Sequence, residues 1–184
     1  METYISFLRG VNMTGHNSIK MTELADLYRK LGFKDPETFI QSGNVIFSSI
    51  DGSNESDIGS KIEKGIFRKF NYIVPVMIRT KEELNDLFKV NPFLGEPAFD
   101  PSKMAVLFLQ DKPSVSQVQK VAGVDYPPDK FMIISREIYT YCPNGFGRTK
   151  LYTNFFENKM GVTGTARNWK TITTILGIAE KKSL

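Results

Sequence analysis

The chain has 184 residues, a net charge of +4, one histidine and one cysteine, so an internal disulfide and a cysteine-rich zinc site are both excluded. Hydrophobic residues make up 41% and charged residues 24%, the balance of a soluble globular protein, and the pI near 9.1 permits a phosphate-bearing partner without demanding one. No apolar stretch reaches the length of a membrane span, and the opening METYISFLRG lacks the basic-then-apolar build of a secretory signal.

TYISFL, residues 3–8, is an apolar run of strand length, and a turn-rich loop, RGVNMTGHNS, follows it. Leu24, Leu27, Tyr28 and Leu31 recur at helical spacing, with Gly32 placed for a left-handed stop. TFIQSGNVIFSS reads as two strands joined at Gly43-Asn44, the strongest hairpin signal in the chain. Asn54 is placed to cap a helix carrying Ile58, Ile62, Ile66 and Phe70. IVPVMIR is a strand with Pro75 near an edge or an end, and Thr80 and Glu83 have capping-box spacing ahead of another helix. The order βαββαβ predicts a ferredoxin-like first subdomain over residues 1–90.

Residues 91–103, rich in Pro and Gly, read as a connection. Beyond it come a strand MAVLFLQ, a short helix after a Ser114/Gln117 box, and a strand pair KFMIIS/EIYTYC around Arg136-Glu137. Thr149 is placed to cap a helix over 150–161, about 18 Å long. Thr165 is placed to cap a last helix with Trp169, Ile172, Ile175, Leu176 and Ala179 on its apolar face. Residues 104–184 therefore read as βαββαα, and the whole chain as α+β with two subdomains in an imperfect duplication, without a repeat of individual residues.

No Walker A loop, no G-x-S-x-G elbow and no other cofactor motif is present, and no carboxylate pair is marked as acid and base. His16 alone is no metal site, and Cys142 at a strand end reads as a buried, inert thiol. No reaction is named by these residues. Four polar stretches remain. LRGVNMTGHNSIK offers Arg9, Asn12 and Lys20 around loop amides suited to an anion, or else a structural connection. QSGN offers Gln41 and Ser42. NGFGRTK puts Arg148 and Lys150 beside two glycines at an expected helix start, where cations are disfavoured unless an anion is held. GVTGTARNWKTITTI puts Arg167 and Asn168 at another such start, with Trp169 turned to the core.

YISFLRGVNMTGHNSIKM, FIQSGNVIF and TARNWKTIT together resemble the signature segments of the bacterial domain of unknown function family 1697, across nearly the whole chain. The family pattern carries two glycines after LRGVN, whereas here Thr14 precedes Gly15. The resemblance implies two α+β subdomains, the first ferredoxin-like, and implies no activity. Its signature polar residues fall on Arg9, Gly10, Asn12, Lys20, Gln41, Ser42, Gly43, Asn44, Arg167, Asn168 and Trp169. The expected function is binding of a small anionic, phosphorylated or nucleotide-like ligand between the subdomains in a cytoplasmic protein, with Arg9, Asn12, Lys20, Gln41, Arg148, Lys150, Arg167 and Asn168 as its contacts. The alternatives are RNA or single-stranded nucleic-acid binding, with Tyr4 and Phe47 as candidate aromatics, and a protein-partner or structural module.

Overall fold

The computed structural model describes residues 1–182 apart from Thr14, Asp51, Ser53 and Ala98. These form two compact units, Met1–Asp86 with Thr174–Leu184, and Leu87–Thr173. Residues 91–103 thus fall inside the second unit, and the end of the chain joins the first.

The first unit runs β1 (Glu2–Leu8), α1 (Met21–Lys30), β2 (Lys34–Phe39), β3 (Asn44–Ser49), α2 (Glu55–Phe70) and β4 (Val76–Thr80). Its antiparallel sheet has the order β2-β3-β1-β4, the ferredoxin-like topology. The local signals act as chemistry requires. Gly32 ends α1 at φ +90, and the Asn54 side chain accepts from the Asp57 amide to start α2. Tyr4, Leu8, Val45, Phe47 and Ile78 alternate onto one sheet face and pack with Ile58, Ile62 and Ile66 of α2. The hairpin is wider than a two-residue turn: residues 40–43 form it, with Ile40 and Gly43 both at positive φ.

After β4 comes α3 (Lys81–Val90), where Thr80 and Glu83 exchange both capping-box hydrogen bonds. The second unit then runs β5 (Met104–Leu109), α4 (Val115–Gln119), β6 (Lys130–Ile134), β7 (Glu137–Tyr141), α5 (Thr153–Phe156) and β8 (Gly164–Asn168), and α6 (Trp169–Lys181) closes the chain. Its sheet order, β6-β7-β5-β8, repeats that of the first unit position for position.

Two expectations are corrected here. The second half is βαββαβ followed by a helix, not βαββαα, because residues 164–168 pair antiparallel with β5 as a fourth strand. Thr165 is therefore a buried strand residue, and the cap of α6 is Asn168, whose Oδ1 accepts from the Thr171 amide at 2.8 Å. The 150–161 helix is also absent as such. That segment holds only the four-residue α5 and a π-helical turn, Glu157–Gly161, and a 3-10 turn, Phe146–Arg148, precedes it.

Candidate functional site

The hydrogen bonds that close each sheet align the two units residue by residue. In the first, the Leu8 amide donates to Gly43 O and the Arg9 amide to Pro75 O; in the second, Leu109 donates to Arg136 O and Gln110 to Thr163 O. Counting along the strands from these anchors, Tyr4, Phe47 and Ile78 correspond to Ala105, Thr140 and Ala166. Three large core residues are thus replaced by three small ones.

The covering layer shrinks at the same place. The sixteen-residue α2 lies over the first sheet, whereas the link from β7 to β8 in the second unit is a chain of short turns. Leu151, Phe156 and Met160 of that link pack onto Leu107, Leu109 and Ile138. The end of the sheet bearing Ala105, Thr140 and Ala166 is left as a cavity of about 270 Å³, with Phe146, Tyr152 and Asn168 also among its lining. Its walls are mostly apolar; the Thr140 hydroxyl within it donates to Ala105 O at 3.2 Å. Small-molecule sites have this make-up, apolar walls with a few polar groups.

The expected contact residues distribute differently. Asn168 lines this cavity with an exposed side chain. Arg167 is also among its lining, but strand alternation turns its side chain to the other face with Thr165, whose hydroxyl accepts from the guanidinium at 2.7 Å. The Ala166 carbonyl accepts a second bond at 2.8 Å. Burial pushes the Arg167 guanidinium down to about 10, which leaves it charged at neutral pH. The cation read from sequence as misplaced at a helix start is a buried strand residue holding its own backbone.

Arg148 is exposed on the loop between Phe146 and Leu151, both of which line the cavity, and Lys103 Nζ lies 3.9 Å from where a Cβ on Gly145 would sit. Lys150 stands over the Tyr126 ring, 5.1 Å from its centre. Neither Arg148 nor Lys150 occupies a helix start, since α5 begins only at Thr153.

In the first unit the polar loop is structural in its visible bonds. Asn12 Nδ2 donates to Ile19 O and Gln41 O, while its Oδ1 accepts from the Ile19 amide, which ties LRGVN to QSGN. Gln41 contributes its carbonyl there and is otherwise exposed, as is Lys20, which precedes α1 without a side-chain cap. Arg9 is half-buried beside them. Gly43 is required where these segments cross, because a Cβ would meet Val11 Cγ2 at 2.4 Å and Leu8 Cβ at 2.8 Å. The nucleic-acid reading loses its footing in the same unit: Tyr4 and Phe47 are core residues 4% and 0% exposed, not a stacking platform.

A residue that sequence reading passed over is Arg79, 1% exposed and equivalent to Arg167. It donates to the carbonyl of the preceding residue, Ile78, at 2.7 Å, as Arg167 does to Ala166. Each precedes a capping residue and a helix, so the shared run of Arg, cap and helix start was the available signal. Cys142 is buried, and that burial pushes its thiol up, against a hydrogen bond with Thr149 that lowers it. Among the described residues no group of three or more His, Cys, Asp or Glu is placed to hold a metal ion, and no helix is long and apolar enough to cross a membrane.

The pattern of one family, described as "Protein of unknown function (DUF1697)", matches residues 1–139. The chain belongs to this family. The DUF1697 match stops within β7, so most of the cavity lining comes from the residues after it. Among solved structures, the conserved bacterial protein SP0830 from Streptococcus pneumoniae is similar over 97% of this chain and 98% of its own, at 22% identity and a TM-score of 0.75, which shows a common fold. No curated protein matches the chain.

Proposed function

We propose that the protein binds a small ligand with a flat apolar body and one anionic group in the cavity of the second unit. The observation that carries this is the substitution of Tyr4, Phe47 and Ile78 by Ala105, Thr140 and Ala166 in the duplicated frame, which leaves apolar volume of ligand size. The anionic preference rests on Arg148 and Lys103, two cations at the loop carrying Phe146. Asn168 supplies an amide at the rim. The lone buried thiol suits work in a reducing cytoplasm.

The test is a titration of the ¹⁵N-labelled protein with phenyl phosphate, benzoate and neutral benzyl alcohol, followed by amide shifts. Shifts centred on Ala105, Thr140, Phe146 and Ala166, with phenyl phosphate and benzoate ahead of benzyl alcohol and weakened in Arg148→Ala, are expected. Saturating shifts confined to other residues, or no charge preference, would sink the reading.

A further inference from the structure

The outer edges of the two sheets are treated differently. β2, the free edge of the first, contains Pro36, holds Asp35 at φ 47, and slips in register between Lys34 and Glu37. Lys182 lies over that edge as well, donating to Asp35 O at 2.9 Å and pairing with Glu37 at 3.1 Å. Prolines, bulges and lysines are the devices that keep an edge strand from pairing with other chains. β6, the corresponding edge, has neither proline nor bulge: its register with β7 is unbroken from Lys130 to Ile134, and its lysine, Lys130, stands at the first position, held by Glu96.

The hydrogen-bond phase says which groups of β6 look outward. Leu109 takes the Arg136 carbonyl, so Arg136, Ile138 and Thr140 turn their backbone to β5 while Glu137, Tyr139 and Tyr141 turn theirs to β6. Their partners Ile134, Met132 and Lys130 are satisfied inward. Phe131 and Ile133 are left with N–H and C=O pointing away from the sheet, and among the described residues neither group has a partner there.

An open groove of about 560 Å³ follows that edge. Four consecutive residues, Lys130 to Ile133, line it, so it runs beside the strand and not over one face. Phe93, beside the Tyr141 ring, and Glu96, which holds Lys130, line it from one face of the strand, and Val121 and Val124, clustered with Phe131 and Ile133, from the other. A slot walled on both sides admits a single extended chain, whereas a second sheet edge with walls of its own would collide. Its charge is acidic. Asp125 and Asp129 line it, and the one lysine present, Lys130, is held by both oxygens of Glu96 at 2.8 and 2.7 Å.

We propose that this edge is a docking slot for an extended peptide of alternating apolar and basic residues, which adds to the second sheet as a fifth strand. Backbone pairing with Phe131 and Ile133 supplies the affinity, and the carboxylates set the preference for a cationic chain. This site is separate from the cavity over Ala105 and Ala166.

The experiment uses the full chain and three probes: acetyl-Val-Lys-Val-Lys-Val-amide, its glutamate counterpart, and the lysine peptide N-methylated at alternate amides. Hydrogen exchange at the Phe131 and Ile133 amides is read by NMR. The lysine peptide is expected to slow exchange at both, and the N-methylated form to bind at least about tenfold more weakly. Asp125→Lys, an exposed position, is expected to cost the lysine peptide several-fold and favour the glutamate one. The proposal is overturned by unchanged exchange at millimolar lysine peptide, by equal binding of the N-methylated form, or by preference of the native chain for the glutamate peptide. Protection that grows with protein concentration alone would assign the edge to a second copy and overturn it equally.

Discussion

Replacing Ala166 by isoleucine restores in the second unit the residue that Ile78 supplies in the first. The change adds three carbons over the cavity. At about 0.8 kcal/mol per buried methylene the upper bound is about 2.4 kcal/mol. Position 166 is exposed, so only part of that area leaves water, and ordering the side chain costs about 0.5–1 kcal/mol. The net expectation is a gain of about 0.5–1.5 kcal/mol, aided by the preference of β-branched residues for strands. Urea unfolding of wild type, Ala166→Val and Ala166→Ile measures it, and the series should rise in that order. In parallel the phenyl phosphate titration should lose its shifts at Ala105 and Thr140. Destabilisation by more than about 1 kcal/mol would mean that no room exists at β8 and that the cavity reasoning is wrong. A stability gain with ligand shifts intact would mean the ligand binds elsewhere.

Gly43→Ala should cost about 1–2 kcal/mol for its φ of +74 and about 1–3 more for overlap with Val11 and Leu8, whereas Gly32→Ala, at φ +90 with nothing within 4 Å, should cost only the first part; urea midpoints of the two variants separate the contributions. Asn168→Ala should lose about 1 kcal/mol through the α6 cap, while Asn168→Asp keeps most of it, as thermal unfolding of both will tell. Burial pushes the Tyr28 phenol above its usual range, against a 2.7 Å hydrogen bond with Ser6 that lowers it. The unfolded chain then releases this proton first, near the ordinary value of 10.0, so stability contributed by the protonated phenol is present below that pH and is lost as pH rises above it. Tyr28→Phe should therefore show a shallower fall in urea midpoint between pH 9 and about 11 than wild type; parallel curves would refute the assignment.

Where a local signal and a tertiary role coincide, as at Asn54, at Thr80 with Glu83 and at Ser114 with Gln117, the elements could be read from residues alone. β8 could not. GTARN is five residues long, and Thr165 ahead of a helical apolar pattern imitates a cap; the true cap stands three residues later, at the strand–helix junction. What makes 164–168 a strand is the neighbour it lies against: a Cβ on Gly164 would come within 2.8 Å of Phe108 O. Leu151, Phe155 and Met160 likewise suit a continuous helix or a run of turns equally well. The cavity was illegible for a related reason. Ala105, Thr140 and Ala166 are unremarkable residues, far apart in sequence, and their smallness acquires meaning only once strand register sets them opposite each other and beside Tyr4, Phe47 and Ile78. Arg79 left a faint trace in the shared order of arginine, cap and helix, which a search for similar segments rather than similar spacing would have found.

The assignment of Thr174 onward to the first unit bears on synthesis. A chain leaving the ribosome exposes β1 to β4 early, yet Lys182, which lies over the β2 edge, emerges only after the second unit. During translation that edge waits without its lysine while the whole second unit is made. Domains usually fold in the order of their synthesis; here the first unit is begun before the second and completed after it. Pro36 and the irregular register of β2 are built into the strand itself, and so guard it through the interval before the lysine arrives.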